Sequence, residues 1–79
     1  MRVRLRFFAL LREQMGRGGE RALQPGTTVG ALWDALVAER PALAATRVRF
    51  AVNERYVDRS HRLADGDEVA FFPPVSGGG

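Results

Sequence analysis

The C-terminal stretch DGDEVAFFPPVSGGG, residues 65–79, joins several structural signals in one run of sequence. Two aspartates flanking a glycine are typical of a tight turn, and the apolar residues after them predict a last β-strand over Glu68–Phe72. The Pro73-Pro74 pair has no backbone N–H groups, so it forbids further pairing in a sheet. We therefore predict a folded domain over residues 1–72 and a flexible Pro/Gly tail over residues 73–79.

The residues before this stretch supply partners for the last strand. Strict alternation of arginine and apolar residues predicts a first strand over residues 2–8. Good helix formers predict a short helix over residues 9–15, which glycines end. We expect a weak second strand over residues 20–24, antiparallel to the first. Further strands are expected over residues 47–53 and 55–57.

One long helix gives the strongest helical signal in the chain. Thr27-Thr28 offers a hydroxyl N-cap for a helix from Val29 to about Arg40, and Pro41 ends it because the residue before a proline is driven out of the helical region. Apolar residues at helical spacing form one stripe along this helix. They are Val29, Leu32, Trp33, Leu36 and Val37.

The order of elements is strand, short helix, strand, long helix and three strands. A single amphipathic helix must bury its stripe against one face of a mixed sheet. The crossover between an N-terminal hairpin and the later strands predicts an α+β fold of the ubiquitin-like β-grasp type, with the first and last strands central and parallel.

The composition fits one small globular domain. Apolar residues make up 46% and charged residues 27% of the 79 residues. There is no cysteine, which excludes disulfides, thiolate metal sites and a cysteine nucleophile. We expect a cytoplasmic location and no membrane partner, because no apolar run is long enough to span a bilayer and no signal peptide is recognisable.

All twelve basic residues are arginine, and the net charge is +3. This charge is too small to predict nucleic-acid binding. Codon usage in a GC-rich genome is the favoured explanation for the missing lysine. A second interpretation is functional, since a chain without lysine cannot be acylated on a side-chain amine.

Few residues are candidates for chemistry. His61 stands alone in a polar loop without a second metal ligand, and no Ser–His–Asp set is convincing in a chain of this size. Asp65 and Asp67 lack the spacing of a calcium loop and are better explained as turn residues. The aromatic residues at alternating or helical spacing are expected in the core: Phe7, Trp33, Phe50 and Phe71.

The sheet face opposite the long helix has no covering element in this sequence. Two exposed phenylalanines among arginines are typical of a protein-docking surface, since both residue types are enriched at interfaces. The alternative is a solvated face whose rings pack on arginine stems. The residues expected on this face are Arg4, Arg6, Phe8, Arg47, Arg49, Ala70 and Phe72.

The whole chain resembles the small sulfur-carrier subunit of molybdopterin synthase, the MoaD family. The resemblance rests on Phe7-Phe8-Ala9 with Arg12-Glu13, on Ala51-Val52-Asn53, and on residues 65–75 leading into the glycines. The related thiamine-pathway carrier usually lacks the helix after strand one and the Phe-Phe-Pro-Pro run. The family ends in two glycines after a small residue, whereas this chain has Ser76 and three glycines.

The resemblance implies a non-catalytic subunit that donates sulfur. A separate E1-like enzyme would adenylate the C-terminal carboxylate with ATP, a sulfur donor protein would convert it to a thiocarboxylate, and the large synthase subunit would use that sulfur to build the molybdenum-binding dithiolene. The chain itself would bind no cofactor and no metal. The reactive residue would be Gly79, or Gly78 if Gly79 is an extra residue.

The resemblance also implies which residues meet partners. Those entering the partner's active site would be Gly77, Gly78 and Gly79, and those docking would be Phe8, Arg12, Phe72, Pro73, Pro74 and Val75. Three alternatives stay open: sulfur carriage for tRNA or thiamine, a ubiquitin-like modifier of lysines, and a plain interaction module with an inert tail. The sulfur acceptor and the oligomeric state are also open.

Overall fold

A computed structural model describes residues 1–73 of the chain. It contains five strands, two α-helices and one 3₁₀ helix. They are, in chain order, β1 (Arg2–Phe7), α1 (Leu10–Met15), β2 (Gly18–Ala22), α2 (Val29–Glu39), the 3₁₀ helix (Pro41–Ala45), β3 (Arg49–Val52), β4 (Arg55–Val57) and β5 (Glu68–Phe72). No helix among these is long and apolar enough to cross a membrane.

The five strands form one mixed sheet in the order β2-β1-β5-β3-β4. The central pair β1 and β5 is parallel, and every other neighbouring pair is antiparallel. The β-grasp prediction is therefore confirmed, including its two central parallel strands. The register sets Phe7 opposite Phe71 across the central pair.

Helix α2 begins at the predicted place and covers the inner face of the sheet. Thr28 is its N-cap, and the Oγ1 atom of Thr28 accepts a hydrogen bond from the N–H of Ala31 at 3.1 Å. The Trp33 ring lies 5.5 Å from that of Phe71 and 6.3 Å from that of Phe50, measured between ring centroids. These contacts confirm the predicted core. Its fully buried members include Val3, Leu11, Val29, Leu32, Leu36, Leu43, Val69 and Phe71.

Strand β2 does not lie where the sequence predicted it. We expected residues 20–24, but the strand runs over Gly18–Ala22 and therefore uses glycines that we assigned to the end of α1. Gly18 has a φ of 104°, and a Cβ placed there would lie 2.1 Å from the carbonyl oxygen of Leu5. Only glycine allows the two backbones to approach so closely. Gly18 is part of the β1–β2 ladder, so the prediction that the glycines only end α1 is wrong for this residue.

Strand β3 is shorter than predicted because of its neighbour. We expected pairing from Arg47, yet it starts at Arg49, which lies opposite Phe72. The next position on β5 is Pro73, which has no N–H to offer. At the other end, Asn53 leaves the strand and turns the chain with a φ of 50°.

The acidic turn before β5 fastens the two central strands together. The backbone N–H of Arg2 donates to Oδ1 of Asp65 at 2.7 Å, and the N–H of Gly66 donates to the carbonyl of Arg2 at the same distance. Asp67 accepts from the amide of Asn53 at 2.9 Å. The aspartates are thus turn residues, as predicted.

Candidate docking face

The register of the sheet places two rows of side chains on the face opposite α2. The first row is Arg6, Ala70, Ala51 and Tyr56, each paired with the next across neighbouring strands. In the second row Arg49 pairs with Phe72, and Phe8 follows β1 at the level of Phe72. We call these residues the docking face: Arg6, Phe8, Arg49, Ala51, Tyr56, Ala70 and Phe72.

Phe8 and Phe72 form the centre of this face. Their ring centroids are 4.6 Å apart and the ring planes lie within 9° of each other. The Arg6 guanidinium lies 5.1 Å from the centroid of Phe8. We predicted both rings to be exposed, but each is half-buried because one ring covers the other. Stacking keeps one side of each ring available while removing the other from water.

Tyr56 belongs to the docking face but escaped the sequence analysis. Its side chain is among the most exposed large hydrophobic groups, at 69%. The ring lies 6.0 Å from that of Phe72, and the Arg49 guanidinium lies 5.6 Å from the Tyr56 centroid. The available signal was the alternation in Arg55–Val57, which places Tyr56 on the same face as Ala51.

The small residues of the face form its floor. Ala51 and Ala70 are 5% and 9% exposed, and they lie side by side in the register. The prediction that Ala70 points away from α2 is confirmed by its pairing with Arg6, although it is buried beneath larger neighbours. Arg47 is exposed but precedes β3, so it lies outside the paired rows.

The positive charge of the sheet is partly neutralised. Arg2 pairs with Glu20 at 3.3 Å and Arg6 with Glu68 at 3.5 Å. Within residues 1–73, Arg4 and Arg49 are exposed and make no ion pair. The docking face is therefore aromatic at its centre with cationic edges, which favours a partner surface with apolar and acidic groups.

The chain bends sharply between Phe8 and α1. Ala9 has a φ of 54° and a ψ of −130°, a conformation that suits glycine better than alanine. The N–H of Leu11 donates to the carbonyl of Phe8 at 3.2 Å and closes the turn. Leu10, which follows this corner, is 64% exposed. Arg12, four residues after Phe8 in the sequence, is also exposed to solvent.

The predicted tail begins next to the aromatic stack. Pro73 follows Phe72 directly, is half-buried and is the last residue that the structure describes. The other tail residues predicted to dock or react, Pro74, Val75, Gly77, Gly78 and Gly79, lie outside the described residues. Their roles stay predictions.

The remaining titratable groups of interest lie elsewhere on the molecule. The Arg21 guanidinium hydrogen-bonds the Glu39 carboxylate, which lowers the pKa of Glu39 and raises that of Arg21. Hydrogen bonds from the hydroxyl and N–H of Ser60 lower the pKa of Asp58. The backbone carbonyl of His61 accepts a hydrogen bond from the N–H of Val29, so this loop residue contacts the first residue of α2 through its backbone.

The five-stranded mixed sheet packed on one main helix defines a ubiquitin-like β-grasp fold. The structure superimposes on a solved ubiquitin of Caldiarchaeum subterraneum with a TM-score of 0.68 at 22% identity, covering 99% of this chain and 98% of that one. The family profile described as the ThiS family matches residues 5–78. This chain belongs to the ThiS family.

Individual relatives narrow the likeness within that family. The molybdopterin synthase sulfur carrier subunit of Escherichia coli is 40% identical over 96% of this chain and 99% of its own length. The subunit of the same name from Mycobacterium tuberculosis is also 40% identical, over 99% of each chain. The resemblance found in the sequence is thereby confirmed.

Two solved structures carry the comparison into three dimensions. SAMP1 of Haloferax volcanii is 32% identical with a TM-score of 0.80, over 99% of this chain and 100% of that one. A complex of subunits 1 and 2 of the molybdopterin-converting factor of Helicobacter pylori contains a chain that is 27% identical with a TM-score of 0.71, over 99% and 100% of the two chains.

Proposed function

We propose that this chain is the sulfur carrier of a molybdopterin synthase and donates the sulfur of a C-terminal thiocarboxylate during molybdenum cofactor biosynthesis. One observation carries the proposal: the chain matches sulfur carrier subunits from two bacteria at 40% identity over nearly its whole length. The position of the aromatic stack supports it, because Phe72 directly precedes the predicted tail. A partner that binds the docking face would receive the tail at its edge.

The chemistry starts from a carboxylate, which is a poor electrophile. An oxygen of the Gly79 carboxylate attacks the α-phosphorus of ATP on a separate E1-like enzyme, and pyrophosphate leaves. The outer sulfur of a cysteine persulfide on a donor protein then attacks the acyl-adenylate carbon, the C–S bond forms and AMP departs. A second thiol on the donor side cleaves the S–S bond of the resulting acyl disulfide, which releases the thiocarboxylate and leaves a disulfide on the donor. This chain has no cysteine, so the sulfur has to come from another molecule. We place these reactions in the cytoplasm.

The described residues would act in recognition. The Phe8–Phe72 stack and Tyr56 offer apolar contact area, and the guanidinium of Arg49 offers charge at the edge of the face. The structure of the Helicobacter pylori relative holds subunits 1 and 2 together. By analogy we propose that the large synthase subunit binds the docking face and takes up residues 77–79.

Intact mass spectrometry of the chain purified from its own cells tests the proposal. We expect a fraction of the protein to carry one oxygen-to-sulfur exchange, lost on mild hydrolysis and located in the C-terminal peptide. Deleting Gly78 and Gly79 together should abolish sulfur transfer. If Gly79 is the reactive residue, deleting Gly79 alone should also abolish transfer, whereas transfer that persists would identify Gly78 as the reactive residue. Thermal stability should stay unchanged in both, because the strands and helices that the structure describes, within residues 1–73, do not contain these glycines. Full transfer by the double deletion would overturn the proposal.

A second candidate function is protein modification. It is favoured by the likeness to SAMP1, a structure that is also described as small archaeal modifier protein 1. A modifier would be joined through its C-terminal glycine to lysines of other proteins. The same mass spectrometry distinguishes the two, since isopeptide-linked adducts support modification and a sulfur exchange supports carriage.

A further inference from the structure

The side chains of this protein hold unusually few nucleophiles. All twelve basic residues are arginine, and cysteine is absent as well. The guanidinium group stays protonated at any physiological pH, so it offers no lone pair for attack on a carbonyl. The ε-amines and thiols that react most readily with activated carboxyl groups are therefore missing from the side chains.

The amine of Met1 is held in the sheet. It donates a hydrogen bond to the carbonyl of Leu23 at 3.0 Å, and the N–H of Leu23 donates to the carbonyl of Met1 at 2.8 Å. This reciprocal pair extends the ladder between β1 and β2, and Met1 itself is half-buried against the core. This hydrogen bond and the half-buried position of Met1 restrict the approach of the amine to an acyl carbon.

Three hydroxyl groups are also engaged locally. Ser60 donates to Asp58 at 2.5 Å, and Thr27 donates to the carbonyl of Gln24 at 2.6 Å. The Oγ1 atom of Thr28 caps α2 by accepting from the N–H of Ala31. Each hydroxyl has a structural task in a turn or a cap, which reduces its availability as a weak nucleophile.

From these observations we infer that the folded chain is a one-way acyl donor. It can carry an activated C-terminal carbonyl at high local concentration, but it does not accept that acyl group from itself or from a second copy. The nucleophile that consumes the activated tail must belong to another molecule, either a sulfur donor or an amine of a different protein. The biological use of this property rests on the proposed function, whereas its chemical basis does not.

A chemically prepared thioester tests the chemical property apart from the proposed biological function, because it needs no activating enzyme. The full chain is made with a mercaptoethanesulfonate thioester at Gly79 and incubated at mildly alkaline pH. In aminolysis a neutral amine attacks the thioester carbon, the C–N bond forms, the C–S bond breaks, and the thiolate leaves while the nitrogen loses its proton to the buffer. Intact mass spectrometry then distinguishes the hydrolysed chain, the cyclic chain and the covalent dimer by their masses.

Two kinds of variant supply nucleophiles without touching the docking face. Arg40→Lys places an ε-amine on an exposed residue after α2, and a short Gly-Ser segment in front of Met1 moves the α-amine out of the ladder. The matched control is Arg21→Lys, whose new amine would replace a guanidinium that binds Glu39. Free lysine added to the wild-type thioester shows that the carbonyl is reactive.

We expect the wild-type thioester to hydrolyse, with covalent dimers and cyclic chains as minor products at most. Arg40→Lys and the extended variant should form these products roughly tenfold faster than the wild type, because an available amine attacks the thioester carbon. Arg21→Lys should give less product than Arg40→Lys. Dimers or cyclic chains from the wild type at the rate of the variants would overturn the inference, as would the absence of products from both variants. Neither result bears on thiocarboxylate formation in cells, which intact mass tests separately.

Discussion

The rings of Phe8 and Phe72 stack with their centroids 4.6 Å apart, although 64 positions separate them in sequence, from 8 to 72. The parallel pairing of β1 and β5 brings them together, since Arg6 lies opposite Ala70 and each phenylalanine comes two residues later. Side chains two residues apart share a face of a strand. The stack is thus a direct product of the crossover that defines the fold, and it lies where the chain leaves the sheet.

Replacing either ring should weaken partner binding more than folding. We expect Phe8→Ala and Phe72→Ala each to cost about 1–2 kcal/mol of unfolding free energy, because both rings are only half-buried and a stacked pair contributes about 0.5–1.5 kcal/mol beyond area. Affinity for the large synthase subunit, the partner that we propose, should fall by tens of fold, as is typical of a central aromatic contact. Urea unfolding and titration calorimetry measure the two effects.

A matched control and a double variant make this prediction sharp. Arg47→Ala changes an exposed residue outside the paired rows and should leave stability within about 0.5 kcal/mol and binding unchanged. The double variant should lose less stability than the two single losses together, because the rings contact each other. If the two losses of unfolding free energy were additive, the rings would not stabilise each other. If both single variants bound the partner normally, the stack would not be part of the docking surface.

The corner at Ala9 should store backbone strain. At a φ of 54° and a ψ of −130° an alanine is disfavoured by roughly 1–3 kcal/mol, whereas glycine tolerates this region. Ala9→Gly also adds freedom to the unfolded chain, which costs about 0.4–1 kcal/mol. We therefore expect a net gain of about 1 kcal/mol in unfolding free energy, measured in urea. Ala38→Gly, at an exposed position of α2, should lose about 1 kcal/mol instead. A loss in both variants would show that Ala9 is unstrained.

The sequence carried most of the fold because its patterns are local. Alternation placed β1 and β5, and the stripe from Val29 to Val37 placed α2, since burial on one face imposes those periods. Pairing of the central strands then followed from the single crossover helix. The docking residues Phe8 and Phe72 could be assigned to one face for the same reason.

What the sequence missed depends on contacts between distant residues. The stacking that half-buries Phe8 and Phe72 arises only once the two strands are aligned, and the partnership of Tyr56 with Arg49 depends on the register of β3 and β4. The predicted start of β2 was wrong because Gly18, which is needed for the close approach of two backbones, cannot be told from the sequence alone from a glycine that ends a helix.

Gly18 in β2 should be less replaceable than its neighbour Gly19. A Cβ at this position would lie 2.1 Å from the carbonyl oxygen and 2.7 Å from the carbonyl carbon of Leu5, and no flexible side chain is there to yield. We expect Gly18→Ala to cost about 3 kcal/mol or more, as overpacking against backbone does. Gly19→Ala meets no atom within 4 Å at a φ of 145°, so it should cost about 1 kcal/mol. Equal losses in urea unfolding would mean that the steric contact with Leu5 is relieved by a shift of β2.

The ion pair between Arg21 and Glu39 should make part of the stability pH-dependent. The hydrogen bond from Arg21 lowers the pKa of Glu39 below its ordinary value of 4.5, so the folded chain keeps this carboxylate charged at a pH where the unfolded chain protonates it. The stabilisation is therefore complete above pH 4.5 and is lost as the pH falls through the lowered pKa. Glu39→Gln should flatten the unfolding free energy over that acidic range and lower it slightly at neutral pH, with a small effect because the Glu39 side chain is 53% exposed. Arg21→Ala should flatten the acid profile in the same way, since it removes the partner that lowers the pKa of Glu39. Combining the two changes should produce no further flattening, whereas additive flattening would mean that another carboxylate carries this acid sensitivity.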